Sequence, residues 1–308
     1  MPMYSKKCPY CGSSKVKKSG LRNHVQHYKC NSCGKQFLNK YKLTEEKVWQ
    51  EYLEGKQTLV EIAARHHVSV STIQRILRQR AIEWEQPSLW GYIGYVHLDA
   101  TYWGHSWGIL LALDEETGKV LYLAFIKHET IADYQLAIEE IIIAGYRIKG
   151  IIIDGKKELF GIFHHYPIQM CQFHMYQIVE RYLTKHPKMN ASRELLALCS
   201  YITFLDKRDF VNEYTAWKKK WESFINKRTI HKDGKTYYLH RRLRTVVRSL
   251  NFYMPYLFTY QRPECDGMPN TNNKIEGTFT DLKKNLNNHS GLTKEHRQRF
   301  IIAYFQTR

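Results

Sequence analysis

The sequence predicts a mixed α/β protein with a helical insertion, preceded by two small modules. Between residues 92 and 183, short apolar runs such as "YIGYVHLDATYW" and "KGIIIDG" alternate with stretches of helical period such as "DYQLAIEEIIIAGY". Residues 186–265 abandon that rhythm for helical, basic and aromatic sequence. The first 42 residues carry paired cysteines instead of a long apolar run.

With 308 residues, 43% of them hydrophobic, the chain is long enough to bury a full core and to divide into more than one unit. Its 47 Lys+Arg against 29 Asp+Glu give a formal charge of +18, which favours a polyanionic partner. Nucleic acid is the first candidate and a membrane surface the second. No uninterrupted apolar run reaches the length of about 18 residues needed to span a bilayer, and "MPMYSKKCPYCG" lacks a signal-peptide core. A soluble, cytoplasmic, nucleoid-associated protein with no membrane partner is therefore expected.

The first module, residues 1–42, contains Cys8-x2-Cys11 and Cys30-x2-Cys33. Two such knuckles supply the four soft ligands of a closed Zn2+ site, and the alternating "NHVQHYKC" between them suits the short strands of a zinc ribbon. His24 and His27 are possible competing ligands, but four cysteines already complete the set. Residues 1–44 hold ten Lys or Arg and no acid, either the footprint of phosphate contact or a solvated face.

Residues 43–86 read as helices broken near Gly55 and again at "HHVSVS". Leu59, Ile62 and Ala63 form one apolar stripe, Val68 sits in a short turn, and Ser69 caps a helix carrying Ile73, Ile76 and Leu77. This is helix-turn-helix patterning, and a packing hairpin is the plain alternative. On the first reading Ser71, Thr72, Gln74, Arg75, Arg78 and Gln79 project toward DNA bases and phosphates.

From residue 87 the elements run strand, hairpin turning at Asp114 to Gly118, helix, strand, helix after Asp154, short strand and helix. The order β-β-β-α-β-α-β-α is that of an RNase H-like domain, its first part ending near residue 185. Asp99 lies in one strand and Asp154 ends another, where a carboxylate is costly to bury unless paired or metal-bound. Carboxylates on neighbouring strands suit one hard cation. Asp154 alone could equally cap the following helix. Glu139 and Glu158 are further acids near the core, with helical positions that favour solvent.

In the insertion, 186–265, Trp217, Trp221, Arg241, Arg242, Arg244 and Arg248 are candidates for DNA contact, although Trp at i and i+4 also suits helix packing. Residues 266–308 close the core with two helices. Asn272 and Asn273 begin the first and Gly291 ends it, while Ile275, Phe279, Leu282 and Leu286 form its buried face. Glu276 lies beside that face, either complementing the helix dipole or aimed at Asp99 and Asp154.

Taken in order, "LDATYW", "IIIDGKKEL", "CQFHMYQIV", the insertion and "NNKIEG" resemble a bacterial insertion-sequence transposase of the DDE class, in the Mutator-related branch with a zinc-binding N-terminus. The resemblance covers nearly the whole chain. It implies a catalytic triad of Asp99, Asp154 and Glu276 that binds Mg2+ or Mn2+. Cys171 and His174 match a Cys-x2-His pair near the site, a zinc half-site or a packing pair. The family cleaves element ends and transfers strands into target DNA. The ribbon and helix-turn-helix would then bind terminal inverted repeats, with Lys283, Lys284 and other bases holding phosphates, in at least a dimer on DNA. An inactive transposase-derived regulator and a stand-alone metal-dependent nuclease are the competing functions.

Overall fold

The structure, a computed structural model, describes residues 7–22, 25–38, 43–54, 57–79, 82–104, 106–230, 234–289 and 291–306. The expected helix break at Gly55 and the candidate ligand His24 lie outside them, as does the Gln79 side chain. The chain forms two compact units, residues 1–80 and 81–308.

In the first unit, β1 (Val16–Arg22), β2 (Val25–Cys30) and β3 (Gln36–Leu38) make an antiparallel sheet in that order. Among the described residues it buries a core of Cys8, Tyr28, Cys30 and Phe37, too small to fold on hydrophobic area alone. Helices α1 (Glu45–Glu54), α2 (Leu59–Arg65) and α3 (Val70–Gln79) follow and pack on one another. Thr58 and Glu61 form a reciprocal capping box that starts α2. Ser69 Oγ accepts from the Thr72 amide at 3.2 Å, fixing the start of α3. Ile62 and Ile73 are fully buried between them.

The second unit is built on a five-stranded mixed sheet: β4 (Ile93–Trp103), β5 (Trp107–Asp114), β6 (Val120–Ile126), β7 (Arg147–Ile153) and β8 (Ile168–Met170). Its spatial order is β6-β5-β4-β7-β8, with the first three strands antiparallel and β7 and β8 parallel to β4. Antiparallel neighbours need only tight turns, and Gly118 supplies the positive φ (+71°) of the second. The parallel pairs require crossovers, made by α4 (Ile131–Ile143) and α5 (Lys157–Ile162). After β8 comes α6 (Gln172–Leu183), so the elements follow the sequence-predicted order.

The insertion contains α7 (Asn190–Ser200), α8 (Lys207–Lys220), α9 (Glu222–Ile225) and α10 (Arg241–Tyr253). It also holds a hairpin that the helical reading missed, β9 (Arg228–Ile230) paired with β10 (Thr236–Tyr238). Leu195, Phe210, Leu243 and Leu250 join the same apolar core as Val96, Ile151 and Val179, so the insertion is welded to the sheet and not appended to it. Helices α11 (Asn273–Asn287) and α12 (Lys294–Gln306) end the unit, with α11 packed on β4. Gly291 therefore lies past the end of α11, in the turn to α12, and does not cap it. Among the described residues no helix is long and apolar enough to cross a membrane.

Candidate carboxylate site and cysteine cluster

The parallel register of β4 and β7 pairs His97 with Ile152. Two residues further along each strand stand Asp99, still within β4, and Asp154, one residue past the end of β7, so the register sets both acids at neighbouring strand positions. Alternation puts Asp99 on the sheet face of Tyr95 and His97, opposite Val96 and Leu98, which pack into the main core. Asp99 Oδ1 accepts from the Ala100 amide at 2.8 Å, and Asp154 Oδ1 from the Lys156 amide at 3.3 Å. Asp154 thus closes a local turn and does not cap α5, whose N-cap is Lys156. The space at Gly155 is tight: a Cβ would lie 3.0 Å from Ile178 and 3.3 Å from the Tyr253 hydroxyl, and these side chains would have to give way slightly.

Burial, then the charges of Asp154 and Glu276, push the Asp99 carboxyl well above the ordinary aspartate range. A fourth acid, Glu129, contributes to the same field. It sits between β6 and α4, accepts from the Tyr134 hydroxyl at 3.2 Å, and stands 3.7 Å from Lys156 Nζ. Burial and the Asp154 charge raise its own carboxyl above the usual range. Glu139 and Glu158 are exposed, as their helical positions predict, whereas Glu129, which the sequence did not single out, lies in the field of Asp99 and Asp154. Glu129, Asp154, Lys156, His174, Arg181 and Lys185 border a cleft of about 820 Å³.

Glu276 is delivered by α11, whose Ile275, Phe279, Leu282 and Leu286 are all buried. Asn272 precedes the helix but makes no side-chain cap. Its Oδ1 lies 2.6 Å from Nδ1 of the buried His97, whose Nε2 lies 2.5 Å from Glu115 Oε2. The start of α11 is therefore pinned to the strand that carries Asp99. Cys171 is fully buried at the start of α6, where burial pushes its thiol up to about 11, and the Asn272 amide donates to its Sγ at 3.2 Å. His174, one turn into α6, places Nδ1 3.6 Å from Glu276 Oε1. Among the described residues two groups of metal-capable side chains bring their ligand atoms within 4.8 Å of one another: Cys171, His174 and Glu276, and the four N-terminal cysteines.

In that N-terminal group Cys8 Sγ lies 3.6 Å from Cys33 Sγ, and Cys11 Sγ 3.6 Å from Cys30 Sγ. Four Zn–S bonds of about 2.3 Å set sulfurs about 3.8 Å apart, so the cysteines fit a tetrahedral Zn2+. The Cys33 amide holds the Cys30 thiol down, to about 6.

Of the residues proposed to touch DNA, Ser71, Arg75 and Arg78 are exposed on α3, whereas Thr72 and Gln74 are half-buried. Lys284 is exposed on α11, and Lys283 Nζ lies 6.0 Å from the ring of Trp103, which stacks on Trp107. Trp217 is buried, with its indole N–H donated to the Ala191 carbonyl, and Trp221 donates to Glu194 at 2.7 Å. Both serve packing. Arg241 and Arg244 lie over the rings of Tyr237 and Tyr238 in the β9–β10 hairpin, while Arg242 and Arg248 are exposed.

No protein-family model matches the chain, and no curated protein matches it. Among solved structures, a Drosophila P element transposase strand transfer complex is similar at 10% identity and a TM-score of 0.38, covering 88% of this chain and 93% of that one. A simian T-cell lymphotropic virus intasome, in complex with PP2A regulatory subunit B56 gamma, is similar at 12% identity and a TM-score of 0.23. That match spans 51% of this chain and 65% of the other, just under two thirds of its length.

Proposed function

We propose that the chain is a DDE transposase of the RNase H-like class, acting on phosphodiester bonds at the ends of a bacterial insertion sequence. The observation that carries this reading is that Asp99 in β4 and Asp154 just past the end of the neighbouring β7 share one electrostatic field with Glu276, which comes from a helix pinned to β4. Clustered carboxylates that repel one another call for a counter-cation. The donor set is all oxygen, which suits Mg2+ or Mn2+. Asp99, Asp154 and Glu276 would hold the ions, which supply activation of the attacking oxygen and stabilisation of the leaving one.

The protein's own groups then have distinct tasks. Lys156, Arg181 and Lys185 at the cleft offer cations to the phosphates that flank a scissile bond. Lys283, Lys284 and the Trp103 ring suit a strand passing along α11. Lys156 is also held by Glu129, through its carboxylate and its backbone carbonyl, so its charge is positioned and not free to sweep. Residues 1–42 act as a zinc ribbon and 43–86 as a helix-turn-helix, with α3 reading the terminal inverted repeats. Residues 87–185 and 266–308 form the catalytic core and 186–265 its insertion. Two ends are brought together by at least a dimer on DNA.

The test uses the purified full chain, Mg2+, and DNA carrying the inverted repeats that flank its gene. Cleavage and joining that disappear in Asp154→Ala and Glu276→Ala are the expected result. Binding without Mg2+-dependent cleavage would identify a regulator instead, and cutting without end preference a nuclease.

A further inference from the structure

Cys171 and His174 have no task in the carboxylate chemistry, yet they close on Glu276. Cys171 is fixed by three contacts: its amide donates to the Ile153 carbonyl at 2.9 Å, its Sγ accepts from the Asn272 amide, and the next residue, Gln172, donates its amide to the Asn270 carbonyl at 3.0 Å. These bonds tie the segment before α11 to the start of α6, and so bring Glu276 to His174. The two facing atoms, His174 Nδ1 and Glu276 Oε1, are both buried and have no hydrogen-bond partner. Their separation of 3.6 Å is too long for a hydrogen bond. Two buried polar atoms left unsatisfied are costly, which a native site seldom tolerates without a missing partner.

A cation between them supplies that partner. Ligands about 2.0–2.3 Å from a tetrahedral ion lie about 3.3–3.8 Å apart, and the N···O distance here falls in that range. One thiolate, one imidazole and one carboxylate form a mixed donor set that favours a borderline-soft ion over Mg2+. The Asn272 amide donated to Cys171 Sγ is the outer hydrogen bond that a bound thiolate requires. Among the described residues three protein ligands converge here, and His174 borders the cleft, so the fourth position opens on solvent or substrate.

We propose that Cys171, His174 and Glu276 form a second zinc-class site, which fixes Glu276 through Oε1 and leaves its other oxygen toward the aspartates. The site stands on these atoms whatever reaction the carboxylates perform.

Metal content of the purified full chain, measured by plasma mass spectrometry, is expected at about two zinc ions per chain, one in each cysteine-containing group. Cys171→Ser and His174→Gln should each remove about one, while Cys8→Ser removes the other and leaves the second in place. In cobalt-substituted protein, Cys171→Ser should abolish one thiolate-to-metal charge-transfer component and keep that of the N-terminal cysteines. His174→Gln, at a half-buried ring replaced by an amide, serves if Cys171→Ser does not fold. Wild-type zinc content and an unchanged cobalt spectrum in His174→Gln would overturn the proposal, as would a wild-type protein whose zinc is lost entirely in Cys8→Ser.

Discussion

Ionised Asp99 faces the negative charges of Asp154, Glu276 and Glu129 in a half-buried setting, so without a cation this group opposes folding. Its folded carboxyl holds its proton more tightly than the unfolded chain does. Its stabilising contribution is thus complete below the ordinary aspartate range and is lost as pH rises through the raised folded value. Asp99→Asn should therefore raise the melting midpoint of metal-free protein at neutral pH, by about 2–4 °C if the gain is ~1 kcal/mol, while abolishing Mg2+-dependent cleavage. Melts in chelator, with and without Mg2+, check both halves; a lowered midpoint would count against the electrostatic reading. Glu129 leads to a second expectation, because it touches Lys156 and Tyr134 as well as the field of Asp154. Glu129→Gln should loosen Lys156 at the cleft and slow cleavage without loss of DNA binding. Single-turnover cleavage beside a binding titration separates the two. Asp99 and Asp154 were legible because acids interrupt apolar strands. Glu129 was not, since "KHETIADY" reads as a polar loop with a helix start, and only the fold brings it to Asp154.

Elements position these residues by register and by one buried polar cross-link. The β4–β7 pairing fixes the two aspartates, and the Asn272–His97–Glu115 chain fixes the start of α11. Asn272→Ala strands the Nδ1 side of a fully buried histidine, which should cost about 1–3 kcal/mol. Because the same bond sets where Glu276 sits, the expected signature is a larger fall in cleavage rate than stability alone explains, with DNA affinity kept. Denaturant unfolding and single-turnover rates on one preparation decide it; a rate that falls only in step with the unfolded fraction would reduce Asn272 to a structural residue. The apolar face of α11 was readable from its spacing of four, three and four. The use of Asn272 was not, because an amide before a helix looks the same whether it caps the helix or reaches across to another strand. The β9–β10 hairpin did leave a signal, the Asp-Gly pair in "HKDGKTYY", overshadowed by the helical sequence on both sides.

At the scale of the whole molecule, the charge of +18 is divided between two units proposed to have different tasks, and salt dependence can tell them apart. Lys17 and Lys18 are exposed on β1 in a segment without acids, and on the proposed reading they meet DNA phosphates. Each contact releases counterions, so Lys18→Gln should weaken binding to every sequence alike and reduce the slope of log K against log salt by about one. Arg75 projects from α3, the element proposed to enter the major groove, and a guanidinium there can read a guanine edge. Arg75→Ala should cost about 1–3 kcal/mol on the element end and far less on unrelated DNA. Lys283, beside Trp103 in the second unit, belongs to neither class: Lys283→Gln should leave end binding intact and slow cleavage or joining. Fluorescence titrations of the three variants at several salt concentrations, on end and random duplexes, give the comparison. If Arg75→Ala and Lys18→Gln shift both duplexes equally, α3 contributes charge and not recognition, and the assignment of end reading to the helices of the first unit fails.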